Sequence, residues 1–180
     1  MTLTQIITAA LEQQDKTTDA QMQETWRDKF TQLANEGLVD LATALRLRRT
    51  DELTAGANGE IRLDELPYDC LKVLRIMKNG IAVAFYRGAD TFSYKVNASG
   101  AVGVEYRYLP RLLSSDTDEP GIPERLHGLL VAYICAREYT TNDAATQSRA
   151  RYFYEIYNTG KLRAEKTYGE PEAYAIYNKY

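Results

Sequence analysis

The sequence predicts an α+β fold: a mostly helical bundle of about four helices, an inserted small antiparallel sheet of β-hairpins, and an extended C-terminal arm. Three observations point there. Apolar residues recur at steps of three and four near both ends of the chain. In the middle the period changes to two, and Asn79-Gly80 and Ser99-Gly100 punctuate the alternation. The last stretch, Glu165 to Tyr180, has no such periodicity and contains Gly169 and Pro171. Helices, then hairpins, then helices again describe a bundle at 1–165 with a β insertion at about 58–110, followed by an arm at 166–180.

Leu3, Ile6, Ile7, Ala10 and Leu11 form one face of a short first helix that ends near Gln14 and Asp15. Thr18 or Asp19 then caps a long second helix. Its inward face reads Met22, Trp26, Phe30, Leu33, Gly37, Leu41 and Leu45. Gly37 on that face implies close approach of another backbone, or a break, because an interior glycine costs about 1 kcal/mol relative to alanine. Arg46, Arg48 and Arg49 fall at the helix end, where cations suit the dipole. Thr54 to Glu60 reads as a loop.

In the insertion, Leu71, Val73 and Arg75 should share one side of a strand, and Lys72, Leu74 and Ile76 the other. Asn79-Gly80 is the turn residue pair of a type I′ hairpin, and "IAVAFY" returns as the partner strand. A second hairpin turns at Ser99-Gly100 and sets Phe92, Tyr94 and Val96 against Val102, Val104 and Tyr106. "RLLSSDTDEPG" is a polar linker. Beyond it an αα-hairpin spans Ile122 to Leu162. Pro123 suits a first helical turn, and Leu126, Leu129, Leu130, Tyr133 and Ile134 make one apolar face. Asn142 or Asp143 caps the next helix. There Ala145, Ser148, Tyr152 and Ile156 should face inward, and Gly160 should weaken or end the helix.

At 180 residues the chain is one domain, or one with an embedded module, and buries enough surface to fold without disulfide or metal. Cys70 and Cys135 lie in separate apolar runs and suit a reduced state. With a single histidine, a His/Cys metal site has too few ligands, and no cofactor is expected. No apolar run reaches the ~20 residues of a membrane span, and no basic leader opens the chain. These features predict a soluble protein made in a reducing cytoplasm. The formal charge of −3 argues against coating nucleic acid by bulk charge, though not against a local basic strip. Fourteen tyrosines against four phenylalanines favour a protein whose surfaces meet others.

No set of residues assembles a catalytic constellation, so no enzyme is expected. His127 reads as a packed or surface residue, and Asp64 and Glu65 as solvated charges on opposite faces of a strand. Arg46, Arg48 and Arg49 could track phosphates, but a helix-end cluster explains them. Arg149, Arg151, Lys161 and Arg163, interleaved with Tyr154 and Tyr157, form a second basic set. It suits stacking on single-stranded nucleic acid or, preferably, a subunit interface. Tyr152, Tyr154 and Tyr157 cannot share one helical face, so at least one is left for a neighbour. The alternative function is therefore a nucleic-acid-binding module built on the Arg/Tyr face of the last helix.

Four segments carry a resemblance. They are "FTQLANEGLVDLATALRLRRTDEL", "ANGEIRLDELPYDCLKVLRI", "VEYRYLPRLLSSDTDEPGIPERLHGLLVAYICAREY" and "DAATQSRARYFYEIYNTGKLRAE". In this order they resemble the head–tail adaptor (connector, or neck) proteins of tailed bacteriophages, over most of Thr18 to Glu165. The resemblance implies a virion structural protein in the neck, forming a homo-oligomeric ring of twelve copies. That ring would join the portal protein to a tail or stopper protein, around DNA passing without sequence-specific binding. It makes the arm the portal contact, through Tyr168, Pro171, Tyr174, Ile176, Tyr177 and Tyr180. The sheet tips, Lys78, Asn79 and Gly80 with Arg87 and Asp90, become the tail-side contact. The arm is either a loose terminus or a segment that orders on its partner.

Overall fold

The computed structural model describes residues 1–138 and 144–168. Among these described residues it has the α+β composition the sequence predicts: four α-helices and two antiparallel sheets. The chain divides into two compact units. Met1–Leu45 and the residues from Leu113 onward form a helical unit, and Arg46–Leu112 forms a sheet unit.

In the helical unit, α1 (Leu3–Gln13) buries Leu3, Ile6, Ile7, Ala10 and Leu11, the five residues its period selects. Thr2 and Gln5 close a reciprocal capping box at its start. α2 (Ala20–Leu45) is capped by Asp19, whose Oδ1 accepts from the Met22 amide at 2.9 Å. Gly37 does not break it. A Cβ there would sit 3.0 Å from Cγ of Tyr133, so glycine admits a side-chain ring, not another backbone. α3 (His127–Glu138) packs against α1, α2 and α4 (Ala144–Tyr168).

Residues 113–118, expected to be a polar linker, are a strap tied down at several points. Asn35 exchanges hydrogen bonds with the Leu113 backbone in both directions, at 2.8 and 2.9 Å. Asp116 pairs with Arg27, and the Asp118 carbonyl accepts from the Leu3 amide at 2.8 Å. The strap thus satisfies donors that the first turn of α1 cannot pair internally.

The sheet unit departs further from expectation. α2 stops at Leu45, where Arg46 adopts a left-handed φ of 53°, and β1 (Arg48–Ala55) follows. Arg48 and Arg49 therefore lie on a strand rather than at a helix end, and the β region opens before residue 58. One sheet has the order β1, β7 (Gly100–Leu109), β3 (Asp69–Lys78), β4 (Ile81–Val83). The other has β2 (Glu60–Arg62), β6 (Ser93–Val96), β5 (Phe85–Arg87). The Asn79-Gly80 turn forms between β3 and β4, with φ of 50° and 78°. "IAVAFY", however, splits between the two sheets. β6 and β7 are not a hairpin either: β6 pairs with β2 and β5, and β7 with β1 and β3. Register skips at Leu71 and Leu74 put Val73 and Ile76 together in the core. Leu53, Ala55, Ile61, Leu63, Leu66, Val96, Val102, Val104 and Tyr106 complete that core.

Candidate assembly surfaces

α4 sorts its aromatics by depth. Phe153, Tyr157 and Ala164 are buried, while Tyr152 is 60% and Tyr154 55% exposed. Ile156, expected to face inward with Tyr152, is also exposed, as is Ser148, so the buried face is turned by one residue from the one anticipated. The side chain of Ala145 lies outside the described residues. Gly160 neither weakens nor ends α4. A Cβ there would fall inside the Leu129 side chain, so glycine lets α3 and α4 approach closely.

Three of the six residues expected at a subunit interface or DNA channel serve their own fold. The Tyr157 hydroxyl donates to Asp40 Oδ2 at 2.5 Å, and its ring meets Tyr133 edge-on at 5.0 Å. Burial, then the Asp40 carboxylate, pushes the Tyr157 phenol far above its ordinary range. With 2% of its surface accessible, Tyr157 belongs to the core and offers nothing to a neighbour. Lys161 bridges to both Asp40 oxygens at 2.6 and 2.7 Å. Arg149 donates to Asp15 at 2.7 Å. Arg151, Tyr154 and Arg163 remain exposed. Tyr152, Ile156 and Leu162 join them, and sequence reasoning had not placed these three at the surface.

Of the arm, Tyr168 is the last described residue of α4, with the Arg125 guanidinium 4.5 Å from its ring centroid. It is helical rather than extended. Pro171, Tyr174, Ile176, Tyr177 and Tyr180, like the capping candidates Asn142 and Asp143, lie outside the described residues.

In the sheet unit, Lys78, Asn79 and Gly80 form the β3–β4 tip, and Lys78 Nζ donates to the Ser99 carbonyl. Arg87 ends β5, and Asp90 in the following loop lies 3.6 Å from Arg62. Leu71 and Phe92, both exposed, line a cleft of about 390 Å³ with Tyr68, Tyr94 and Arg87. Arg49 is occupied: it forks onto Asp51 at 2.6 and 2.7 Å and lies over the Tyr68 ring at 4.6 Å. Asp51 also accepts from the buried Tyr106 hydroxyl at 2.7 Å. Asp64 and Glu65 occupy a short 3-10 turn rather than a strand, and Arg62 clasps Asp64.

The remaining chemistry-bearing side chains are packed. His127 is buried; its Nδ1 lies 2.8 Å from the Met1 amine and its Nε2 3.1 Å from the Ile122 carbonyl. Cys135 is a buried free thiol, pushed up to about 11 by burial, and Cys70 is free and half-buried. Among the described residues no helix is long and apolar enough to cross a membrane.

No curated protein matches the chain. The family model of the SU10 adaptor protein matches residues 78–173, over half the sequence, from the β3–β4 tip through α3 and α4. That is a family of bacteriophage head–tail adaptors, and it agrees with the resemblance carried by the adaptor-like segments. A match of this extent makes the chain a member of the SU10 adaptor protein family, with the structural role in the virion that membership carries.

Proposed function

We propose that copies of this chain close into a ring at the head–tail junction, joining the portal to the tail or stopper and surrounding the DNA channel. The observation that carries the reading is the outer face of α4. There Arg151, Tyr152, Tyr154, Ile156, Leu162 and Arg163 are exposed on a helix whose other side is packed. Exposed rings and aliphatics among cations are costly to leave in water and suit a protein interface. A ring of identical copies, twelve in the form the resemblance implies, uses a heterologous contact closed by rotation. In this reading residues 169–180 reach the portal, and the tips at Lys78–Gly80 and Arg87–Asp90 face the tail.

The test is electron microscopy and mass measurement of the full chain, alone and mixed with portal rings. A closed ring seated on the portal is expected. A protein that stays monomeric and ignores portal rings refutes the reading.

A further inference from the structure

A heterologous ring contact needs two different patches on each copy, and the α4 face is only one of them. The second should complement it in charge. The outer side of α2 does. Gln21, Thr25, Asp28 and Gln32 follow one another at steps of four, three and four, and all are exposed. Glu24 lies beside them, one turn before Asp28, also exposed. Two carboxylates at that spacing repel and weaken a helix unless a cation answers them.

Arg27, the cation between them in sequence, feels both charges, but its hydrogen bond goes to a third carboxylate, Asp116, so the patch keeps an excess of negative charge. Lys29 is committed to Glu138. On α4 the mirror situation holds: neither Arg151 nor Arg163 has an ion-pair partner among the described residues, although Glu155 lies nearby in sequence. Both helices belong to the helical unit, so one body carries a patch with excess negative charge and a cationic, aromatic one. The Tyr152 and Tyr154 rings, apolar in body and polar at the tip, suit a partner face of amides and hydroxyls such as Gln21, Thr25 and Gln32.

We propose that the α4 face of one copy, centred on Arg151, Tyr152, Tyr154 and Arg163, docks on the α2 face of the next copy at Glu24 and Asp28. This rests on the ring reading and names its two complementary sides.

The experiment is a charge exchange in the full chain, read by sedimentation and electron microscopy with and without portal rings. Two variants are made, R151E/R163E and E24R/D28R. All four positions are exposed, and far-UV circular dichroism checks that each variant keeps its helices. Each variant alone should lose assembly, since like charges then meet at every contact. An equimolar mixture should assemble again, with the two variants alternating around the ring, and so should the chain carrying all four changes. Assembly of the natural chain should weaken as salt rises from about 0.05 to 0.5 M, where screening shortens to a few ångströms.

Variants that assemble as well as the natural chain overturn this contact while leaving the ring reading standing. Loss in each variant without rescue in the mixture also overturns it, because the faces then do not act on each other. Loss of DNA binding by R151E/R163E with assembly unchanged assigns the α4 face to nucleic acid instead. A natural chain that never assembles, even on portal rings, removes the ring reading and this contact with it.

Discussion

Both units of the chain contain the same small device, used differently. In the helical unit a buried tyrosine, Tyr157, meets Asp40, which also holds Lys161. In the sheet unit a buried tyrosine, Tyr106, meets Asp51, which also holds Arg49. The first triplet ties α2 to α4 across 117 residues of chain. The second ties β7 to β1, where Asp51 and Arg49 sit two residues apart on one strand and the ladder has already set the register. One pins tertiary packing, and the other fills a core edge between strands that backbone hydrogen bonds already align. The helical unit should therefore be most sensitive to its side chains, and the sheet unit to its backbone.

The largest effect should come from emptying the helical core. Phe30 is fully buried in α2 beside Trp26, their ring centroids 5.3 Å apart. Phe30→Ala should cost about 3–5 kcal/mol, measured by denaturant unfolding. A loss under about 1 kcal/mol would mean the helices do not interlock as described.

The sheet unit's counterpart is Gly59→Ala. Gly59 has a φ of 72°, and a Cβ would run into the Val96 carbonyl, which is backbone and cannot swing aside. The left-handed conformation and the clash together should cost on the order of 2–4 kcal/mol. If the change is neutral, the contrast between side-chain control and backbone control fails.

That contrast also explains what the sequence disclosed. Helix faces are local, so the period of α1 selected its buried residues without error. In α4 the run Arg151 to Tyr157 places a ring or aliphatic at nearly every phase, so period alone could not choose Phe153 and Tyr157 over Tyr152 and Ile156. Asn79-Gly80 was readable because a type I′ turn is made by its own two residues. The partners of β6 and β7 were not, since alternation shows which side chains point inward and never which strand lies alongside. The skips at Leu71 and Leu74 leave no local mark, and neither does the end of α2, where a non-glycine residue takes the left-handed turn. The exposed half of the α4 surface was legible as chemistry, because arginine and tyrosine are conspicuous. Which of them the fold keeps for itself depended on Asp40, far away in sequence.

The two triplets themselves offer a smaller test. Asp51 is the more enclosed acid, its side chain 18% exposed against 41% for Asp40. Asp51→Ala strands the buried Tyr106 hydroxyl and should cost about 1–3 kcal/mol. Asp40→Ala also strands a buried hydroxyl, that of Tyr157, but should cost less, because the more open Asp40 carboxylate is itself screened by water. Thermal unfolding of both variants beside the natural chain ranks them. The reverse order would mean that the packing pin, not the core-edge cluster, is the more enclosed of the two.

The smallest and most discriminating effect is pH dependence. Arg49, and then the Tyr106 hydroxyl, hold the Asp51 carboxyl below its ordinary value of 3.8. A carboxyl depressed in the folded state stabilises it fully above the unfolded value, and that stabilisation is lost as pH falls through the folded one. Asp51 should therefore contribute evenly from about pH 5 to 8 and lose its contribution below about pH 4. In the helical unit the depressed carboxyls are Asp19, held by the Met22 amide, Asp116, held by Arg27, and Asp118, held by the Ser115 and Ser114 amides; all three are open to solvent. Water and salt screen such groups, so their acid response should shrink in 0.5 M salt, whereas that of the more enclosed Asp51 should persist. Melting curves from about pH 2.5 to 7 for the natural chain and Asp51→Asn, at low and high salt, separate the two. The asparagine variant should start less stable at neutral pH and show a shallower acid limb that salt alters more than in the natural chain. Parallel acid limbs in the two proteins would place the titrating groups elsewhere and leave the Arg49–Asp51–Tyr106 cluster without a part in acid stability.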